Sequence, residues 1–140
     1  MPPPFCFYDH RPGTATSSFA ARESTIHTLA TIPTNPDLIF VCPKAPQAYL
    51  MSSQQGHVVR TFSSGKASGG DFLCATVSPR GTWAYCIGED GVLYTFDIQT
   101  GQLENVLQVS EKEIISVAHH PFRNLLGTIS DDGLLKLWKP

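Results

Sequence analysis

The sequence predicts an all-β fold made of repeated four-stranded units. Two internal alignments support this: residues 72–96 match residues 114–138 at an offset of 42, and residues 38–62 match residues 83–107 at an offset of 45. No amphipathic helix of useful length interrupts the repeats. A period of ~40–45 residues with four short strands per unit is typical of a β-propeller, whose blades are four-stranded sheets around a central axis.

Turn signals fall at matching places in the repeats. Asp90-Gly91 aligns with Asp132-Gly133, and Asp-Gly is a strong hairpin signal because glycine accepts a positive φ and aspartate tolerates it. Short apolar runs at 125–129 and 134–138 flank the second of these turns. We therefore predict that both Asp-Gly pairs join equivalent strands.

The middle unit illustrates how each repeat divides into strands. Its turns are Ser78-Pro79-Arg80-Gly81, whose Pro and Gly positions suit a type I turn, then Asp90-Gly91 and Thr100-Gly101. The predicted strands a, b, c and d are, in order, 72–77, 83–87, 92–96 and 102–107. Strand d is polar, as expected for an outer edge facing water.

These units define the predicted domain organisation. Residues 23–140 are expected to form a partial propeller with blades at roughly 25–62, 71–107 and 114–140. The last blade contains three predicted strands and lacks its outer strand, so we expect an open sheet edge there. Residues 1–22 contain four prolines and no sustained period, which predicts an irregular or disordered segment.

Bulk composition excludes several classes of function. The formal net charge of -2 offers no basic field for nucleic acid, so any contact with RNA is expected to be indirect. No apolar run approaches the ~20 residues that cross a bilayer, and the first residues lack the order of a signal peptide. The sequence therefore predicts neither membrane insertion nor secretion.

The cysteines and histidines do not form a recognisable chemical site. Cys6, Cys42, Cys74 and Cys86 contain no C-x-x-C pair, so we expect reduced, mostly buried thiols and no metal. His119 and His120 are adjacent, and adjacent strand residues point to opposite faces. Asp131-Asp132 is explained by a hairpin turn, and the mid-strand position of Cys86 is unsuited to a nucleophile. We therefore predict no enzyme, no cofactor and no small-molecule substrate.

One loop is a candidate for binding another protein. Residues Ser63 to Gly70 are rich in glycine and serine and link strand d of one unit to strand a of the next. Ser63, Ser64, Gly65 and Lys66 are the predicted contact residues, because such loops lie on one rim of a propeller. The alternative is a plain flexible connector. A phosphate loop is not indicated, since the G-x-x-x-x-G-K spacing is absent.

Several motifs together resemble a known family over about residues 26–140. The most specific is the closing stretch Asp132-Gly133-Leu134-Leu135-Lys136-Leu137-Trp138-Lys139-Pro140. The others are Phe62-Ser63-Ser64-Gly65-Lys66, Gly69-Gly70-Asp71-Phe72, Ser78-Pro79-Arg80-Gly81, Gly88-Glu89-Asp90, Glu111-Lys112 and Ala118-His119-His120-Pro121. In these motifs the chain resembles the C-terminal propeller portion of the Smu family of WD40-repeat splicing factors.

The resemblance implies a function and a location. Members of the family are nuclear components of the spliceosome, act in pre-mRNA splicing and splice-site choice, and work with a partner of the Red type. The chain is thus expected to be a protein-interaction scaffold among spliceosomal proteins. The alternative is a generic WD40 regulatory module, such as the substrate-recognition propeller of a ubiquitin ligase.

The resemblance also implies a hydrogen-bonded network inside each blade. Its usual members are Trp on strand c, Ser or Thr on strand b, Asp in the b–c turn and His before strand a. In the last unit we assign Trp138, Ser130 and Asp132 to three of these positions, and Ser110 to the fourth. We expect the Trp138 indole N–H to lie near Ser130 or a backbone partner. The other units lack the network, with Phe96 and Gly88, or Met51, Pro43 and Ala45, at its positions.

Overall fold

The computed structural model describes residues 5–8, 15–19 and 25–139. All regular secondary structure in these ranges is β-strand, which confirms the predicted all-β class. The described residues accordingly contain no helix of the length and apolarity that a membrane crossing requires.

The strands form one hairpin and three larger antiparallel sheets, which we call the first, second and third blades. The hairpin consists of β1 (Phe5–Tyr8) and β2 (Ala15–Phe19). The first blade contains β3 (Ile26–Thr31), β4 (Leu38–Pro43), β5 (Gln47–Ser52) and β6 (Val58–Ser63). The second contains β7 (Phe72–Val77), β8 (Trp83–Gly88), β9 (Val92–Asp97) and β10 (Leu103–Gln108). The third contains β11 (Ile114–His119), β12 (Leu126–Ser130) and β13 (Leu135–Trp138).

The N-terminal hairpin corrects part of the expectation for residues 1–22. Strand β1 pairs antiparallel with β2, with Phe5 opposite Phe19 and Cys6 opposite Ser18. Aromatic residues favour strands, and antiparallel partners close in sequence need only a short connection. The prolines, which dominated the sequence prediction, all lie between or outside these two strands. The other residues of this segment lie outside the described ranges.

The structure repeats in the same places as the sequence. In each blade the pairing of the first two strands contains one bulge near its start: between Ile26 and Thr28, between Phe72 and Cys74, and between Ile114 and Ser116. The second and third of these bulges are 42 residues apart, which is the offset of the sequence alignment. The repeat therefore extends to local irregularities of the backbone, which propensity alone does not specify.

Both predicted Asp-Gly turns are confirmed. Gly91 and Gly133 have φ angles of 73° and 83°, in the left-handed region that favours glycine. Their N–H groups donate to the carbonyls of Gly88 and Ser130, at 3.0 Å and 3.1 Å. Each Asp-Gly pair therefore forms the last two residues of a four-residue β-turn, and the loop between the strands is longer than the two-residue type.

The core lies between the blades. The first and second blades enclose a cluster of aromatic rings, and the ring centroid of Phe96 lies 5.4 Å from that of Phe62 and 6.2 Å from that of Phe72. The second and third blades enclose a smaller cluster that includes Tyr85 and Leu126. The second blade is consequently covered on both faces.

Within the part of the chain that the structure describes, the third blade is covered on one face only. Ile129, Leu135 and Leu137 project from its other face, where they are 44%, 67% and 66% exposed. No strand among the described residues pairs with the outer edge of β13. This arrangement matches the predicted partial propeller, whose last sheet has three strands.

Antiparallel strands place the turns on two opposite rims. The turns between strands a and b, and between c and d, lie on one rim, which we call the a–b rim. The b–c turns and the connections from strand d to the next strand a lie on the other, which we call the d–a rim.

Candidate functional site

The predicted binding loop lies on the d–a rim and is tied to the second blade. The ammonium group of Lys66 forms an ion pair with the carboxylate of Asp90 in the b–c turn. The Tyr94 hydroxyl, on strand β9, donates to the same carboxylate oxygen at 2.7 Å. Like the network expected from the family, this Lys–Asp–Tyr network joins the b–c turn, strand c and the segment before strand a, but its residues are different and none of the three lies on strand b.

The loop is also bonded within itself. The Ser63 hydroxyl accepts the N–H of Gly65 at 3.1 Å, and the buried Ser64 hydroxyl accepts the N–H of Lys66 at 3.3 Å. The Ser64 N–H donates to the carbonyl of Pro46 at 2.9 Å. A Cβ at Gly70 would lie 2.5 Å from the Ser64 hydroxyl, so this close approach requires glycine. The four predicted residues thus form a defined surface beside Asp90.

The ion pair changes the pKa values of both Asp90 and Lys66. Burial opposes ionisation of Asp90, but hydrogen bonds from Lys66 and Tyr94 outweigh it, so the pKa of Asp90 lies below its ordinary value. The hydrogen bond to Asp90 raises the pKa of Lys66. Both groups are therefore charged at neutral pH.

The predicted network of the third blade requires one correction. The Trp138 indole N–H donates to the Thr128 hydroxyl at 3.0 Å, and not to Ser130. Trp138 pairs with Leu126 across the sheet, and Thr128 is two residues along on the same face. Ser130 is four residues from that pairing, or about 13 Å along the strand. Thr128 and Ser130 both lie on the tryptophan face of β12, so the period of two does not distinguish them. The register between β12 and β13 places Thr128 nearer to Trp138.

Ser130 and Asp132 instead stabilise the turn. The Ser130 hydroxyl donates to the Asp132 carboxylate, which also accepts the N–H of Leu134 at 3.3 Å. The hydrogen bond from Ser130 lowers the pKa of Asp132. Ser110 is buried, and its hydroxyl accepts the N–H of Lys112 at 2.9 Å. The expected four-member network is thus divided into separate pairs.

A second candidate site, not identified from the sequence, is a groove of about 630 Å³ on the a–b rim. It lies between the a–b turns of the second and third blades. Its lining residues are Ser78, Pro79, Arg80, Thr82, Trp83, His119, Pro121, Phe122, Arg123 and Asn124. The sequence signal was the repetition of a proline-containing turn that carries an arginine, Pro79-Arg80 and Pro121-Phe122-Arg123.

The cysteines agree with the prediction where they are described. Cys42, Cys74 and Cys86 are free and buried. Burial opposes ionisation of Cys42, but hydrogen bonding with Cys86 and His27 lowers its pKa to about 7. Burial raises the pKa of Cys74 to about 12, and burial also raises that of Cys86. Since Cys42 has no exposed surface, a reagent or substrate cannot approach its thiol.

The other residues considered for chemistry have structural roles. His120 Nδ1 accepts the N–H groups of Phe122 and Arg123, at 3.0 Å and 3.1 Å, and thereby shapes the a–b turn. The ring of His119 packs against that of Tyr85, with centroids 5.7 Å apart. Asp131 lies in the hairpin turn, as predicted. Within the described ranges, no group of three His, Cys, Asp or Glu residues is placed to hold a metal ion.

Blades of four consecutive antiparallel strands, packed face to face, define a segment of a WD40 β-propeller. Similar solved structures include the RRP9 WD40 repeats (TM-score 0.75, 18% identity, 86% of this chain and 37% of that one). They also include the propeller domain of Myceliophteria thermophila Cps50 (Swd1) (0.76, 16%, 90% and 41%) and that of Doa1 (0.73, 19%, 88% and 40%). At these identities the likeness shows the fold alone.

Within this class the sequence is similar to that of a WD40-repeat protein of the Smu type. It is 36% identical over 126 residues to the WD40 repeat-containing protein smu1 of Dictyostelium discoideum. The match covers 90% of this chain and 23% of that relative, so the chain spans about a quarter of the relative's length. No protein-family model matches the sequence.

Proposed function

We propose that this chain is part of a protein-interaction scaffold in pre-mRNA splicing, in a nuclear component of the spliceosome that influences splice-site choice. The observation that carries the proposal is the 36% identity to smu1 over 126 residues, which is 90% of this chain. The partners would be spliceosomal proteins, including one of the Red type. Contact with RNA would be indirect, because a net charge of -2 provides little attraction for phosphate backbones.

The geometry of both rims supports a role in binding proteins. The turns on each rim are fixed by side-chain hydrogen bonds, such as those of Ser64 on one rim and His120 on the other. Surfaces that are already ordered lose less conformational entropy when a partner binds. The blades thus present shaped surfaces on a rigid framework.

The test is a pull-down from nuclear extract with the tagged 140-residue chain, followed by mass spectrometry. We expect enrichment of spliceosomal proteins. Lys66→Glu should reduce their recovery, because the new carboxylate repels Asp90 and disrupts the predicted loop. Lys112→Glu is the matched control, since Lys112 is exposed and lies in the connection between the second and third blades.

One result would contradict the splicing role, and a second would contradict only the part assigned to the predicted loop. Enrichment of ubiquitin-ligase subunits without spliceosomal proteins would indicate the regulatory substrate-recognition module instead. Equal recovery of spliceosomal proteins by the Lys66→Glu and wild-type chains would remove the predicted loop from the interface while leaving the splicing role in place.

A further inference from the structure

The groove on the a–b rim has two cationic side chains without charged partners among the described residues. Arg80 and Arg123 are exposed, one from each of the two turns that flank the groove. Neither guanidinium forms an ion pair with a residue that the structure describes, and none of the described lining residues is a carboxylate. A guanidinium binds a carboxylate in a bidentate geometry that strengthens the contact. The charge of the groove is therefore available to an acidic ligand.

The groove also offers aromatic surface. The Phe122 side chain is 92% exposed, whereas Trp83 is half-buried against the core between the second and third blades. Large exposed aromatic residues beside arginine are typical of protein contact surfaces, where Trp, Tyr and Arg provide much of the binding energy. A volume of about 630 Å³ lies within the range of ligand pockets and can accept several side chains.

Both walls of the groove are preformed. The Ser78 hydroxyl accepts the N–H of Thr82 at 3.2 Å and that of Trp83 at 3.0 Å. On the other side, His120 Nδ1 accepts two backbone N–H groups of the turn that carries Arg123. The backbone that carries both arginines is thus fixed before a ligand arrives.

We propose that this groove binds an acidic peptide segment of a partner protein, with carboxylates on Arg80 and Arg123 and an apolar side chain between Trp83 and Phe122. The proposal rests on the protein-interaction function proposed above, and specifies a surface and a partner chemistry for it. RNA is a poorer fit, because a nucleic-acid path needs a longer series of cations than these two.

The test is titration of the 140-residue chain with an eight-residue peptide that alternates Asp or Glu with Phe or Leu. The chain has two tryptophans, and Trp138 lies outside the groove, so the two indole N–H signals in an NMR spectrum provide an internal control. We expect the peptide to shift the Trp83 signal and leave that of Trp138 unchanged. A Trp138→Phe variant assigns the signals.

Charge reversal then identifies the residues that bind. Arg80→Glu combined with Arg123→Glu should weaken binding of the peptide at least tenfold. Lys44→Glu and Lys112→Glu, which make the same change at exposed positions outside the groove, should alter it less than twofold. Circular dichroism checks that each variant remains folded.

Three outcomes would overturn the proposal. These are an unmoved Trp83 signal at millimolar peptide, equal binding of a peptide with Asn and Gln in place of the acidic residues, and tighter binding of single-stranded oligouridine than of the peptide. Each outcome would leave the pull-down of spliceosomal proteins unaffected, because another surface could account for it. Failure of the groove and failure of the splicing role are therefore distinguishable.

Discussion

The interface between the first two blades and the outer face of the third blade contain similar apolar residues in opposite environments. Phe40, Phe62, Phe72 and Phe96 are fully or almost fully buried between the first and second blades. Leu135 and Leu137, on a strand equivalent to that of Phe96, are about two-thirds exposed. What differs is the presence of a neighbouring sheet, since the strands themselves have the same form.

This difference indicates that packing between neighbouring blades provides most of the stability of the fold. A single antiparallel sheet of three or four strands leaves both faces open to water, and an apolar side chain contributes only when a second sheet covers it. The polar networks of the second and third blades also differ, because one is joined and the other is divided. In the second blade Asp90 contacts both Lys66 and Tyr94, whereas in the third blade the Ser130–Asp132 pair and the Trp138–Thr128 pair are separate.

The largest expected effect comes from deleting an interface ring. Phe96→Ala should lower the free energy of unfolding by about 3–5 kcal/mol, because it leaves a cavity beside Phe62 and Phe72. Leu137→Ala, on the uncovered face, should cost no more than about 0.5 kcal/mol. Urea denaturation followed by circular dichroism measures both.

The comparison fails if the two variants lose similar amounts of stability. Phe96→Leu provides a milder variant if Phe96→Ala does not fold at all. It should lose less stability than Phe96→Ala and more than Leu137→Ala, since part of the ring volume is retained.

A smaller effect is expected at the tryptophan of the third blade. Thr128→Val removes the acceptor of the Trp138 indole N–H while keeping the shape of a buried side chain. The loss should be about 1 kcal/mol, the typical net contribution of one hydrogen bond. Thr128→Ser, which retains the hydroxyl, distinguishes the hydrogen bond from packing: it should preserve the fluorescence of Trp138 that Thr128→Val changes. An equal fluorescence change in both variants would assign the effect to packing.

The sequence predicted the strands well and the networks poorly, for a physical reason. Strand positions follow from a local alternation of residue types and from turn residues such as Gly91 and Gly133, all of which are visible in one repeat. The partner of Trp138 depends on the register between two strands, and the serine nearest the turn was the wrong choice. The Lys66–Asp90 pair joins a connection between repeats to the second repeat, and the a–b groove lies between two repeats. Periodicity within one repeat therefore reveals neither of them.

The pH dependence of stability tests whether the ionised Asp90 carboxylate stabilises the second blade. Its pKa is lowered in the folded state, so its ionised form contributes stability that is present above the unfolded pKa of about 3.9 and is lost as the pH falls through the lower folded value. Asp90→Asn should therefore cost stability at pH 7, by less than Thr128→Val, and this cost should shrink at pH 3. Asp131→Asn, at an exposed turn position, is the control. A cost that does not depend on pH would show that the carboxylate charge is not responsible.

The smallest expected change in stability comes from the exposed face of the third blade, where the effect should appear in association instead. Ile129, Leu135 and Leu137 form a contiguous apolar surface, because Ile129 and Leu135 are directly opposed across the sheet and Leu137 is opposite Gly127. Such a surface, beside a strand edge that no described strand pairs with, promotes contact between chains. Leu135→Lys with Leu137→Lys should change the free energy of unfolding by no more than about 0.5 kcal/mol, since neither side chain is packed in a core. It should, however, abolish the rise of the weight-average sedimentation coefficient with concentration that we expect of the unsubstituted 140-residue chain.

Val106→Lys, an exposed apolar position on β10, should leave that rise in place. A wild-type chain that sediments as a monomer at every concentration would show that this face does not promote association.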